Sequence, residues 1–272
     1  MKIAYQNENV TLWHGDCREV IPTLPTLPLV FTSPPYNMGA TPWPALGHWR
    51  PGHKCSGGEG KWKRGGASSA RGVGYGTHAD NMPWPDYVAW QRNVLGCLWD
   101  RLADDGAIFY NHKPRVVGDR LWLPLELVPD GVQLRQIVTW DRGGGINYTT
   151  TAFVPMTEWV MVLAKPGFRL KSTGVSGLGD VWRLAPERGN EHPAPFPKEL
   201  PAKAIEATDA AAVFDPFCGS GSTLIAALEA GKRAVGCEID ERWVEVARQR
   251  LERWHAQGRL DFGTANQVIR EK

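Results

Sequence analysis

Two short segments hold residue types whose order and spacing can do chemistry. The earlier is Thr32-Ser33-Pro34-Pro35-Tyr36-Asn37; the later, about 180 residues further on, is Asp215-Pro216-Phe217-Cys218-Gly219-Ser220-Gly221-Ser222-Thr223. In the first, two consecutive prolines fix the backbone and remove both N–H donors. That loop therefore presents acceptors, the Ser33 hydroxyl oxygen and the Pro34 carbonyl, which can be aimed at the hydrogens of an amine. Tyr36 adds a face on which a flat substrate can stack. In the second, Gly219 and Gly221 let the backbone turn sharply and approach a ligand. No lysine follows these glycines, which argues against a phosphate cradle of the P-loop kind.

The elements that must position these loops can be read around them. Apolar runs at 28–31 and 211–214 lead into the two loops and read as buried strands. A strand at 10–14 ends at Gly15-Asp16-Cys17 and precedes a helix whose register Pro22 and Pro25 break. A helix is predicted from residue 84, with Pro85 in its first turn, followed by a strand at 107–110. Strands at 136–140 and 158–163 flank Gly143-Gly144-Gly145 and predict an antiparallel hairpin at one sheet edge. Residues 165–191 read as irregular. Helix 197–208, strand 211–214, helix 223–230, strand 233–238 and helix 241–255 complete the chain. Strands alternating with helices predict an α/β fold, a doubly wound, mostly parallel sheet in a single domain over 1–272.

Composition narrows the classes. With 272 residues and 42% hydrophobic content, the chain can bury one good α/β core. No apolar run reaches the roughly 18–20 residues of a membrane helix, and residues 1–9 lack the apolar stretch of a signal peptide. The five cysteines, at 17, 55, 97, 218 and 237, are odd in number and unclustered, which predicts reduced thiols in a cytoplasmic protein. The net charge of +2 is uneven: residues 38–78 carry Arg50, Lys54, Lys61, Lys63, Arg64 and Arg71 against Glu59. That segment also holds Trp43, Trp49, Trp62 and Tyr75, and lies in a loop over 38–82 without apolar period. Cations interleaved with aromatics suit a polyanion whose bases can be stacked upon, so these six cations are candidate DNA contacts. His48, His53 and Cys55 supply no four-ligand set, and no metal is expected.

Together the two loops resemble the catalytic and S-adenosylmethionine loops of DNA amino-methyltransferases. Catalytic loop first and cofactor loop last is the permuted order of the β group of that family. The run Ala234-Val235-Gly236-Cys237-Glu238-Ile239-Asp240 resembles the family closely, as does His192-Pro193-Ala194-Pro195-Phe196-Pro197, which in the family flanks the methionine end of the cofactor. The resemblance implies S-adenosylmethionine held by Asp16, Cys17, Ser33, His192, Phe196, Asp215, Phe217, Gly219, Gly221, Ser222, Thr223, Glu238 and Ile239. Glu238 would accept the ribose hydroxyls, and Asp16 would reach the adenine amino group while also suiting a helix N-cap. Cys218 reads as a small packing side chain rather than a nucleophile.

Ser33, Pro34, Pro35 and Tyr36 would then be catalytic. The lone pair of an exocyclic base amine is delocalised into the ring. Two acceptors holding its hydrogens draw the nitrogen towards tetrahedral geometry, in line with the methyl group. The base must leave the helix to reach them. Thr-Ser-Pro-Pro-Tyr resembles the cytosine-N4 members, whereas most adenine-N6 members carry Asp in place of Ser33, so adenine N6 is the alternative. RNA and protein-amide methyltransferases use related loops but place the cofactor loop first, and an inactive DNA-binding homologue would not need these residues. Double-stranded DNA is the implied partner, with a cognate restriction endonuclease a further one, and 38–82 and 165–191 are the candidate recognition elements.

Overall fold

A computed structural model describes residues 1–39, 80–117, 120–145, 149–187 and 196–268, without the side chains of 258–268. The expectations for Arg50, Lys54, Lys61, Lys63, Arg64, Arg71, His48, His53, Cys55 and His192 lie outside the described residues.

Nine strands form the main sheet: β1 (Lys2–Gln6), β2 (Val10–His14), β3 (Leu27–Thr32), β4 (Leu102–His112), β7 (Leu134–Asp141), β8 (Thr157–Ala164), β9 (Val181–Arg183), β10 (Ala212–Asp215) and β11 (Arg233–Glu238). Strands β5 (Arg115–Val117) and β6 (Arg120–Trp122) make a separate small hairpin. Across the main sheet the order is β1-β2-β11-β10-β3-β4-β8-β7-β9. The run β2-β11-β10-β3-β4 is parallel throughout, as the βαβ connections require, while β8 is antiparallel to both β4 and β7.

Central strands are apolar on both faces because helices cover both. Leu29, Phe31, Phe109 and Val213 pack into one layer with α4 (Glu199–Glu206), α5 (Ser222–Glu229) and α6 (Glu241–Val268). Val30, Ile108, Tyr110 and Phe214 face the other way, towards α1 (Cys17–Val20) and α2 (Trp84–Arg101). This alternation of successive residues between two cores is the doubly wound arrangement expected from the sequence. A single helical turn, α3 (Thr173–Ser176), lies before β9. Among the described residues no helix is long and apolar enough to cross a membrane, and Cys17, Cys97, Cys218 and Cys237 are free thiols.

Three features differ from expectation. The β7–β8 hairpin is not at the sheet edge, because β9 pairs in parallel with β7 outside it. That strand comes from the segment read as irregular; three residues anchored by the buried Trp182 are too few to show a period. Strand β1, largely exposed, pairs antiparallel with β2 at the opposite edge without a strong apolar signal.

Two glycines separate space from conformation. A Cβ at Gly236 in β11 would stand 2.8 Å from Leu224 Cδ1 and 3.0 Å from Cys218 Sγ, whereas at Gly96 in α2 it would meet nothing within 4 Å. Gly236→Ala is therefore expected to destabilise the protein by about 1–3 kcal/mol. Gly96→Ala should stabilise it by about 0.5–1 kcal/mol, because alanine is the better helix former. Urea unfolding of the two variants measures both signs.

Candidate active site

The two motif loops, far apart in the chain, leave the carboxyl ends of neighbouring parallel strands, β3 and β10, which pair through Val30 and Phe214. Asp215 ends β10 and is fully buried. One of its oxygens accepts from Thr32 Oγ1 at 2.8 Å and from the Phe217 amide at 3.1 Å; the other accepts from Thr223 Oγ1 at 2.6 Å. Burial raises its pKa to about 6, against the lowering effect of these bonds. One carboxylate thus clasps the start of the catalytic loop, the glycine loop and the first turn of α5.

The glycine loop turns as the sequence requires: Gly219 and Gly221 have φ of 49° and 84°, in the left-handed region. At the end of β11, Glu238 faces this loop. Its Oε2 accepts from the Gly219 amide, and its Oε1 accepts from the amides of Ile239 and Asp240, all at 2.9 Å. Burial raises its pKa to about 7. The Glu238 carbonyl accepts from Gly15 N, which brings Gly15-Asp16 beside the same strand end. Asp16 caps α1 through the Arg18 amide and pairs with the Arg18 guanidinium, which holds its carboxyl below the usual range. Phe217 packs edge-on against Trp90 and Phe196 against Phe31, while Ile239 is exposed. Thr223 and Ser222 are buried, the Thr223 hydroxyl donating to Asp215 and the Ser222 hydroxyl accepting from Arg250. Cys17 and Cys218 are buried too, and burial pushes both thiols up, as suits packing rather than nucleophilic chemistry.

The Ser33-Pro34-Pro35-Tyr36 loop is held by groups that its own sequence does not reveal. Ser33 Oγ lies 3.0 Å from Tyr36 Oη, and Tyr36 donates to Glu158 Oε2 at 2.9 Å. Asn111 Nδ2 reaches Ser33 Oγ, Tyr36 Oη and Glu158 Oε2 at 3.2, 2.6 and 3.1 Å. Arg142 grips the other Glu158 oxygen at 3.0 Å and the Pro155 carbonyl at 3.2 Å. Asn111 Oδ1 is buried and has no partner among the described residues. Behind the prolines, Tyr87 donates to the Pro35 carbonyl at 2.8 Å and lies 2.9 Å from His112 Nε2. His112 Nδ1 accepts from the Lys113 amide, which leaves Nε2–H to donate to Tyr87. The His112 ring also packs against Tyr36, centroids 4.3 Å apart. Beyond Tyr36, Asn37 takes a φ of 54°, its side chain donates to the Met82 carbonyl, and Arg115 donates to the Asn37 carbonyl.

The structure therefore brings Ser33, Pro34, Tyr36, Asp215, Gly219, Gly221 and Glu238 to one edge of the sheet. Asn111, His112, Glu158, Arg142 and Tyr87 were missed by sequence reasoning. The signal available was polar residues at the ends of apolar strands: Asn111-His112 after 107–110, and Glu158 opening 158–163.

Residues 27–249 match the N6_N4_Mtase family of DNA methylases, most of the chain. This chain belongs to that family. It is similar to the type II methyltransferase M.ScaI of Streptomyces caespitosus, 27% identical over 92% of this chain and 84% of that protein. M.BglII of Bacillus subtilis is 22% identical over 88% and 68%. Among solved structures, the PvuII DNA methyltransferase (cytosine-N4-specific) covers 90% of this chain and 87% of its own, with TM-score 0.67 and 17% identity. A Thermus thermophilus protein described as a DNA modification methylase, in complex with S-adenosyl-L-methionine, has TM-score 0.59 and 22% identity over 89% and 93%. The family's activity is DNA methylation with S-adenosylmethionine as donor. The site fits that cofactor: a glycine turn bringing backbone to the strand edge, with a desolvated carboxylate on the next strand.

Burial holds the His112 imidazole pKa down at about 3, helped by Arg115 and Lys113. Unfolded, it titrates near 6.5, so its neutral native form contributes stability that is complete above about 6.5 and is lost as pH falls towards 3. Asp215 and Glu238 act oppositely, since each takes up a proton natively before the unfolded chain does. The effect must therefore be read as a difference. The stability deficit of His112→Phe relative to wild type should narrow by roughly 2 kcal/mol between pH 7 and pH 5 in urea titrations. A deficit independent of pH would contradict a neutral buried imidazole.

Proposed function

We propose that this chain methylates the exocyclic N4 of cytosine in duplex DNA, by direct transfer to a flipped base, as a permuted β-group enzyme. The observation that carries the reading is Ser33 beside Pro34, held in a polar network at the strand edge that also holds the glycine loop. The PvuII enzyme, similar in fold, is itself described as cytosine-N4-specific.

When bound, S-adenosylmethionine supplies an electrophilic methyl group on a sulfonium sulfur. The chain's residues then do the positioning. The Gly219–Gly221 backbone, Glu238, Phe217, Ile239 and Asp16 hold the cofactor, with Glu238 accepting from the ribose hydroxyls. Asp215 and Thr223, bonded to each other, fix the loop from behind. Ser33 Oγ and the Pro34 carbonyl each take one hydrogen of the target amine and draw its nitrogen towards tetrahedral geometry. Tyr36, its ring against His112 and its hydroxyl on Glu158, is a rigid stacking platform for the flipped base.

Gly39 N donates to the Asp80 carbonyl and Met38 N to the Asp80 carboxylate, so the two residues that flank the basic segment in sequence stand together beside the catalytic loop. Arg50, Lys54, Lys61, Lys63, Arg64 and Arg71 would contact phosphates, with site reading shared with 165–191. Phe153, fully exposed on the β7–β8 connection, offers an aromatic side chain to a disturbed base stack. A cytoplasmic enzyme paired with a restriction endonuclease accords with the type II relatives.

The test is mass spectrometry of nucleosides from plasmid DNA of a methylation-free host expressing this chain. N4-methylcytosine is the expected product. N6-methyladenine would overturn the target base while leaving the family intact, and neither product would overturn the duplex DNA substrate.

A further inference from the structure

The polar network behind Ser33 has a direction, and what that direction means rests on reading Ser33 as the acceptor of the amine's hydrogen. We propose that Glu158 is the positioning residue that makes Ser33 an acceptor, and that the proton lost by the amine ends on its carboxylate.

A carboxylate has no hydrogen to give, and Glu158 Oε1 accepts from the Arg142 guanidinium at 3.0 Å. The Tyr36 hydroxyl must then donate to Oε2, across 2.9 Å. A phenol has one hydrogen, so towards Ser33 the Tyr36 oxygen can only accept, and the Ser33 hydrogen points to Tyr36 across 3.0 Å. The two hydrogens of Asn111 Nδ2 are shared among Ser33 Oγ at 3.2 Å, Tyr36 Oη at 2.6 Å and Glu158 Oε2 at 3.1 Å, so they take at most one Ser33 lone pair. The other lone pair is left for an incoming N–H. A serine hydroxyl is otherwise as ready to donate as to accept; here its polarity is fixed by a charge two hydrogen bonds away. The same carboxylate orients Asn111, whose amide nitrogen lies 3.1 Å from Oε2 while Oδ1 stays buried and unpartnered. An aspartate at position 33 would accept unaided, but a serine there needs its direction set from outside.

The string also provides an exit for the proton. The amine nitrogen forms its bond to the methyl carbon as the C–S bond breaks and leaves its electron pair on sulfur. One N–H proton passes to Ser33 Oγ, the Ser33 proton to Tyr36 Oη, and the Tyr36 proton to Glu158 Oε2. Glu158 ends as the neutral acid beside Arg142 and returns the proton to solvent before the next turnover. A methylated exocyclic amine still carrying both hydrogens is cationic and strongly acidic, because the ring withdraws its lone pair.

The experiment is single-turnover methyl transfer by the full chain, with tritiated S-adenosylmethionine and plasmid DNA from a methylation-free host. Glu158→Gln should lower the rate by about 100-fold, with the cofactor dissociation constant changed by no more than about twofold. In Ser33→Asp/Glu158→Gln the new carboxylate accepts directly, and the rate should be at least about tenfold above Glu158→Gln alone. A structural role for Glu158 gives no reason for that recovery. A Glu158→Gln enzyme at the wild-type rate, or a double variant no faster than the single one, would overturn the proposal. Should Glu158→Gln fail to fold by circular dichroism, Tyr36→Phe cuts the string but leaves the Glu158–Arg142 pair intact. It must show a similar loss, and a wild-type rate there would equally overturn the role of Glu158. Digestion of the same reactions identifies the methylated base. N6-methyladenine would thus sink the cytosine assignment, while the rate ratios decide the role of Glu158 on whichever base is used.

Discussion

A buried carboxylate at the end of β10 governs the geometry of everything at the sheet edge. Asp215 has no exposed surface, and three donors from three elements converge on it: Thr32 from β3, the Phe217 amide from the glycine loop and Thr223 from α5. Burying such a group is unfavourable unless its oxygens are satisfied. Its raised pKa, about 6, records how strongly burial acts even with three hydrogen bonds present. The consequence is a fixed relation between the glycine loop and the Ser33-Pro34-Pro35-Tyr36 loop. For in-line transfer that relation matters more than any single contact, because small displacements of reacting groups are costly in rate.

A second buried carboxylate, Glu158, joins Tyr36, Asn111 and Arg142 beside the Ser33 loop. Glu158 sits on β8, and the antiparallel register of β4 and β8 sets Asn111 opposite Val160 and His112 opposite Trp159, next to the end of β3. The strand that carries Glu158 is thus brought to the catalytic loop by sheet pairing alone. On the far side of the loop, His112, held neutral by burial, passes a hydrogen bond through Tyr87 to the Pro35 carbonyl. Ser33 and the prolines are therefore clamped from both sides, and neither proline has an N–H to donate.

Much of this was legible in the sequence because it is local. Two prolines, a glycine pair and an acid at a strand end dictate backbone behaviour wherever they occur, and apolar runs such as 28–31 and 211–214 announce strands. What escaped depends on partners distant in sequence. Strand β9 is three residues long and owes its place to pairing with β7; Glu158 and Asn111 meet only through the β4–β8 register. The motif also did not reveal that the two oxygens of Asp215 join Thr32, the Phe217 amide and Thr223.

A double-mutant cycle on the Asp215 clasp is the most direct test of this architecture. Thr32→Val and Thr223→Val each remove one hydroxyl from the shared carboxylate, and the single-turnover methylation rate is measured for both and for the pair. If Asp215 is the joint between the loops, the two losses must be coupled by at least about 1 kcal/mol, because each removal already loosens what the other holds. Losses that add to within about 0.3–0.5 kcal/mol would mean that the loops are positioned independently, and that the clasp is only a local contact.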